Sequence, residues 1–229
     1  MTIDPASAVL LSLQVGVVST ILGCVPAVAV GFWLARTSFA GRWIVSAAVL
    51  VPIVLPPVVT GLLLLDLFGR RGLVGGWLAA AGMPVTFTLL GAVVAAVVVG
   101  FPLYVLVVRQ AFEAVDPRYE EVAATLGDSP LRRFRRVVLP LALPGIAAGA
   151  VLAFARGLGE FGATIVLAGN MEGRTRTIAL AVYTLLDGPD DDPRLRTLVA
   201  VSIALAIAAL LAYEMLVRRQ RRMLELGRG

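Results

Sequence analysis

Three stretches of this chain, Pro5 to Ala35, Trp43 to Leu65 and Gly72 to Val108, each run for more than 20 residues without one charged side chain. A helix buried in a soluble core is served by roughly 10–14 apolar residues in succession, whereas a helix crossing a bilayer needs about 20. The composition agrees, with 59% of the 229 residues hydrophobic and 15% charged, against about 45–50% and ~25% in an ordinary soluble domain. The sequence therefore predicts an all-α polytopic membrane protein, a multi-pass chain in contact with lipid.

The same composition excludes several chemistries. There is no His, so the commonest metal ligand and acid–base side chain is missing. Cys24 is the only cysteine, which leaves neither a disulfide framework nor a cysteine metal cluster. No metal site and no cofactor is expected on this chain. All 20 basic residues are Arg and the net charge is +5; in a membrane protein this charge reports topology, and no nucleic-acid partner is expected.

Five spans are predicted, about Ala8–Leu34, Trp43–Leu65, Thr86–Val108, Val137–Ala155 and Leu198–Val217. Trp33 and Trp43 flank the first turn, and Tyr104 and Tyr213 are read as lying towards helix ends, where membrane interfaces favour aromatics. The first segment exceeds a signal-peptide core and has Asp4 in place of a basic flank, so it should remain as a span. Five spans put the termini on opposite sides. Thirteen arginines, from Arg36 and Arg42 through the loop after the third span to the C-terminal cluster, fall on one side and seven on the other. Short Arg-rich loops stay cytoplasmic, which predicts the N-terminus outside and the C-terminus inside.

The chain reads as a single transmembrane domain over 1–229, with a cytoplasmic loop over 109–140 and an outer loop over 156–196. Gly72 to Val85 is expected to be a further outer loop with a short interfacial helix. Within the 156–196 loop, Phe161–Met171 and Thr177–Leu186 are apolar but too short to span, so re-entrant or surface-lying helices are expected, with 161–171 the candidate gate segment. Asp187 to Pro193 reads as a polar turn at the outer surface. Pro56 and Pro57 stand together in mid-span; two missing N–H groups should break or bend that helix, and a bend suits a constriction in a pathway.

The 109–140 loop carries the most local information. Asp116-Pro117 followed by Arg118, Glu120 and Glu121 is a helix start, with a cap, a residue tolerated in the first turn and negative charge at the positive dipole end. Gly127 is the stop. A helix of about three turns is expected, with Val122, Ala123 and Leu126 towards either a partner or the inner membrane surface. The segment Glu121-Val122-Ala123, three residues, Gly127, nine residues, then Val137-Val138-Leu139-Pro140 resembles the EAA loop of ABC importer permeases, Glu-Ala-Ala, three residues, Gly, nine residues, Ile, one residue, Leu-Pro. Val122 replaces the first Ala and Val137 the Ile. Two further segments, Phe154-Ala155-Arg156-Gly157-Leu158-Gly159-Glu160-Phe161-Gly162-Ala163-Thr164 with its continuation to Thr177, and Leu50 to Val59, look like the molybdate and sulfate permeases, the second like the molybdate subgroup.

The resemblance implies a type I ABC importer permease fold in a bacterial cytoplasmic (inner) membrane and a subunit that moves a tetrahedral oxyanion while a separate protein hydrolyses ATP. Pro117, Arg118, Glu120, Glu121, Ala123, Ala124, Leu126, Gly127, Leu139 and Pro140 would couple to the ATPase. Pro56, Pro57, Arg156, Gly159, Glu160, Phe161, Gly162 and Thr164 would belong to the pathway or its gate. The implied partners are a second copy of the chain, a dimer of ATPase subunits holding ATP and Mg, and a periplasmic or lipid-anchored oxyanion-binding protein. Without Lys the chain has no Gly-Lys-Ser/Thr phosphate loop of its own. Arg156 and Glu160 stand four apart and can pair; they serve either as an ion pair closing the fourth span or as part of a gate. A carboxylate repels an oxyanion, so Glu160 is expected to fix Gly159 and Phe161 rather than to bind cargo. Sulfate and tungstate permeases remain alternatives. A self-contained transporter or channel would need coupling groups in mid-span, where the sequence offers almost none, and an intramembrane enzyme would need His or paired carboxylates.

Overall fold

The computed structural model describes residues 4–186 and 192–226, and every regular element among them is helical. In chain order these are α1 (Pro5–Arg36), α2 (Arg42–Val54), α3 (Pro57–Phe68), α4 (Gly75–Ala80), α5 (Leu89–Glu113), α6 (Arg118–Thr125), α7 (Pro130–Arg133), a π-helical turn (Phe134–Val138), α8 (Leu139–Leu158), α9 (Gly162–Leu167), α10 (Ile178–Leu186) and α11 (Pro193–Leu226). Among the described residues, α1, α5, the helical run Pro130–Leu158 and α11 are each long and apolar enough to cross a membrane. The second expected span, Trp43–Leu65, is a bent pair, α2 and α3, turned by 107° at the break.

That bend is the break expected of Pro56 and Pro57 within the Trp43–Leu65 span, and its cause is local. Leu55, ahead of a proline, is extended at ψ 138° and ends α2, while Pro56 caps α3 and Pro57 takes its first position, where a missing N–H costs nothing. At the start of α1, the Asp4 carboxylate accepts from the amides of Ala6 and Ser7 at 3.0 and 3.2 Å, so the residue read as a poor signal flank is a helix cap. The short helix expected between Gly72 and Val85 is α4, and the two apolar pieces of the 156–196 loop form α9 and α10. The polar turn expected at 187–193 lies outside the described residues except for Asp192 and Pro193.

α5 forms the centre. Ala92, Ala95, Val99, Val108 and Phe112 along it are almost fully covered by the flanking helices α1, α8, α2 and α9. Small residues let these backbones approach, as membrane helices require: a Cβ on Gly31 of α1 would lie 2.7 Å from Val108 of α5, and one on Gly16 would lie 2.8 Å from the Phe154 ring of α8. Tyr104, expected near an interface, is 2% exposed and packs across Gly149 of α8. α11 lies along α8, and near its end Gln220 donates to the Ala111 carbonyl at 3.0 Å while filling the notch left by Gly145. α2 has no buried residue at all.

Candidate functional site

At the end of the bundle carrying the α5–α8 connection, α6 stands out as a short helix on a shaped loop. Asp116 Oδ1 accepts from the Arg118 amide at 2.9 Å, and Gly127, at φ 84°, closes the helix with bonds from its own amide and that of Asp128 to Ala124 and Ala123. Left-handed backbone is what a glycine after a helix supplies without strain. α6 is eight residues, just over two turns rather than three, because Leu126 already leaves the helical conformation ahead of Gly127. Val122 and Leu126 are 60% and 81% exposed and form one ridge, while Ala123, a third of a turn away, is 7% exposed and faces the chain's own loop. Ala124 and Glu121 are exposed beside the ridge, as are Pro117 and Arg118 at the helix start.

Glu120 points inward instead. Arg36, the last residue of α1, forms an ion pair with it at 2.9 Å and donates to the Val115 carbonyl at 3.0 Å. A second link leaves α6 through the loop: the Phe134 ring of the π-helical turn lies 4.8 Å from Phe32 of α1, which in turn stacks edge-on against Phe112 of α5 at 5.1 Å. The Leu139 amide bonds to the Phe134 carbonyl across this turn. The π geometry sits just ahead of Pro140, whose missing N–H would interrupt an α-helical ladder there. Leu139 and Pro140 thus open α8 at a backbone irregularity in contact with two other spans.

At the opposite end of α8, the residues proposed for the gate come together. Arg156 Nη1 lies 2.8 Å from Glu160 Oε2, and the other carboxylate oxygen accepts from the Ala163 amide at 2.8 Å. Glu160 is 2% exposed, so one buried carboxylate is satisfied by a guanidinium and by the first turn of α9. α8 terminates at Gly159 and the chain passes through Glu160 and Phe161 into α9. Gly162 abuts Pro57 at the bend: a Cβ there would be 2.7 Å from Pro57 Cβ. Thr164, beyond it on α9, is buried, and Phe161 packs its ring 5.0 Å from Tyr183 of α10. Arg156, Gly159, Glu160, Phe161, Gly162, Thr164, Pro56 and Pro57 therefore form one contiguous structure made of α8, α9 and the α2–α3 bend.

Gly61, Ser12 and Thr184, which also hold this region, were not singled out from sequence, and Asn170 and Arg176 entered it only within the segment running to Thr177. Gly61 of α3 faces α9 closely enough that a Cβ would lie 2.9 Å from Ala163 Cα. Arg176 is nearly buried and binds the Asn170 side chain at 2.8 Å, and Asn170 donates onward to Thr184 at 2.8 Å. Ser12 of α1 accepts from the Ile178 amide at 2.7 Å. A glycine and small hydroxyl residues inside apolar runs look like ordinary membrane-helix packing, so no local signal distinguishes them.

Known proteins share both the sequence and the fold. Residues 27–222 match the family described as binding-protein-dependent transport system inner membrane component. The molybdenum transport system permease protein ModB of Escherichia coli (strain K12) is 44% identical over 223 residues, covering 95% of this chain and 96% of that one. ModB of Haemophilus influenzae is 42% identical, covering 97% of each. Among solved structures, an inward-facing form of the MetNI methionine ABC transporter superposes with a TM-score of 0.70 over 93% of this chain and 94% of that one, at 21% identity, which is a likeness of fold. With four or five apolar spans among the described residues, an α6 loop at one end and this match over most of its length, the chain belongs to the inner-membrane components of binding-protein-dependent transport systems.

Proposed function

We propose that the chain is the membrane-spanning subunit of an ATP-driven importer of molybdate, working as a pair of identical copies with two ATPase subunits and an external oxyanion-binding protein. The observation that carries this reading is α6. An exposed Val122–Leu126 ridge, set at the EAA spacing, is joined to α1 by Arg36 and Glu120 and to α1 and α5 by the Phe134 contacts. A partner that grips the ridge moves a lever already attached to two spans. The molybdate assignment is supported by the ModB relatives.

In this reading the α6 end is cytoplasmic, the N-terminus is outside, and the arginines of that end follow the positive-inside bias. The ridge enters a groove on the ATPase subunit, with Ala124 and Gly127 allowing close approach and Glu121 and Arg118 contacting the groove's rim. ATP and Mg²⁺ belong to that partner, and no cofactor is held by this chain. When the ATPase pair closes on nucleotide, α6 is drawn inward, and Leu139 and Pro140 pass the motion into α8. The far end of α8 carries Arg156, paired with Glu160 just beyond it, so its displacement shifts the Gly159–Phe161 link and slides α9 against the Pro56–Pro57 bend. The uncovered faces of α2 and α3, with Val54 80% and Leu63 55% exposed, meet the second copy and line the pathway. Glu160 holds this link in shape and does not bind the anion.

Uptake of radiolabelled molybdate into proteoliposomes carrying the chain and its ATPase, with loaded binding protein outside and ATP inside, tests the proposal. ATP-dependent accumulation supports it. Accumulation of sulfate with none of molybdate replaces the substrate, and no accumulation of molybdate, tungstate or sulfate removes the oxyanion reading.

A further inference from the structure

At the α6 end of the bundle, α2 and α5 enclose an open groove of about 600 Å³ bordered by Arg42, Trp43, Ser46 and Arg109. Beside it the two guanidinium groups of its border converge on one oxygen: Arg42 Nη2 and Arg109 Nε lie 3.1 and 2.8 Å from Glu113 Oε1. Arg109 Nη1 also donates to the Ser46 hydroxyl at 3.3 Å. Two cations face one carboxylate, leaving a net positive charge. Arg42 is the first residue of α2, whose first turn has no acidic residue and no side-chain cap, so the positive end of the helix dipole adds to that charge. Arg42 Nε is shielded from solvent and has no hydrogen-bond partner, a donor left unsatisfied at a cost. Both arginine side chains keep about a third of their surface open, at 32% and 28%.

We infer that this groove is a binding site for a tetrahedral oxyanion, held by Arg42, Arg109 and the Ser46 hydroxyl in competition with Glu113. The inference rests on the transport reading above and adds a station for the cargo at the α6 end of the pathway. The Glu113 carboxylate already occupies the place of an anionic oxygen, which shows that the two guanidinium groups can converge on one. α2 connects this groove to the Pro56–Pro57 bend: its 13 residues extend about 20 Å at ~1.5 Å per residue, along a helix with no buried side chain. A built-in competitor keeps such a site weak, which a station from which cargo must depart requires. A phospholipid phosphate shares the same chemistry, and the exposed Trp43 on the rim is a residue type found at headgroup depth, so the test must separate the two.

The experiment uses the permease–ATPase complex in nanodiscs, without binding protein, and measures molybdate binding by equilibrium dialysis. Glu113→Gln is expected to tighten binding by about tenfold or more, the scale of one hydrogen bond to a charged group. Adding Arg109→Gln should abolish the gain. Ser46→Ala, which keeps every charge and the α2–α5 ion pairs, should weaken binding in the Glu113→Gln background. The gain should be equal in zwitterionic and anionic lipid. A Glu113→Gln complex that retains more anionic lipid in native mass spectrometry but binds no more molybdate overturns the inference in favour of lipid phosphate. No gain of either kind overturns it in favour of an ion triad that only fastens α2 to α5. Molybdate uptake by the wild-type complex with no gain in Glu113→Gln removes this site alone, whereas the transport reading falls only if uptake itself is missing.

Discussion

Gly162 lies so close against Pro57 that a methyl group on it would stand 2.7 Å from the proline Cβ and 3.0 Å from the Val58 amide nitrogen. The start of α9 and the bend between α2 and α3 are thus in contact through the one residue type small enough to permit it, and Gly61 does the same a turn further along α3. Rigid backbone stands on the far side of both contacts, so a Cβ must push the helices apart. Gly162→Ala and Gly61→Ala are each expected to cost about 1–3 kcal/mol of stability through overpacking and to reduce substrate uptake more than ATPase activity. Thermal unfolding in detergent and uptake in proteoliposomes check this, and unchanged values in both would contradict the close α3–α9 contact.

Glu160 has two separable duties, one oxygen on Arg156 and the other on the Ala163 amide. Glu160→Gln keeps an oxygen for the amide and loses the ion pair, and should cost roughly 1–3 kcal/mol. Glu160→Ala loses both and should cost about 1 kcal/mol more, the size of a helix cap. Arg156→Gln should add little on top of Glu160→Gln, since paired residues are not additive. Equal losses for Gln and Ala in thermal unfolding would show that the cap on α9 contributes nothing.

The Arg36–Glu120 pair is expected to act on coupling rather than on docking. Arg36→Gln should leave the ATPase subunit bound while lowering molybdate transported per ATP hydrolysed. The reversed pair, Arg36→Glu with Glu120→Arg, should recover part of the loss. Because the side chains are 17% and 26% exposed, the interaction energy from a double-mutant cycle should be modest, about 0.5–2 kcal/mol. A variant that transports with normal stoichiometry would argue against a lever through α1.

Exposed and buried faces of α6 make opposite demands. Val122→Asp and Leu126→Asp lie on the exposed ridge and should leave thermal stability within about 0.5 kcal/mol, as surface changes do, while abolishing co-purification of the ATPase subunit. Ala123→Leu enlarges a residue that is 7% exposed and should destabilise the loop by about 1–3 kcal/mol. Co-elution retained in both Asp variants would place the docking surface elsewhere.

How legible these features were depends on the range of the forces behind them. The spans could be read because a bilayer demands long uncharged runs, and the α2–α3 bend because Pro56 and Pro57 act on their own backbone. Asp116 and Gly127 bracket α6 for the same reason. What could not be read were contacts between distant segments. Arg36 entered the sequence reading only as a topological charge, yet it holds Glu120, and Ser12 gave no sign of reaching the Ile178 amide. Helical periodicity placed Val122, Ala123 and Leu126 on one side, and only the packing of the loop turns Ala123 inward. The residues expected at the gate were read as separate motifs; their meeting at Gly162 and Pro57 depends on the fold.

The most direct test compares ATPase activity in proteoliposomes containing the wild-type chain or Gly127→Pro, each with its ATPase and molybdate-loaded binding protein. Gly127 has a φ of 84° that proline cannot adopt, and no atom lies within 4 Å of where its Cβ would be, so the damage should be confined to the end of α6. Stimulation by loaded binding protein in the wild type, lost in a Gly127→Pro chain that still elutes as a folded protein, is the expected result. Equal stimulation in the two would mean that α6 does not carry the signal between ATP hydrolysis and the transport pathway.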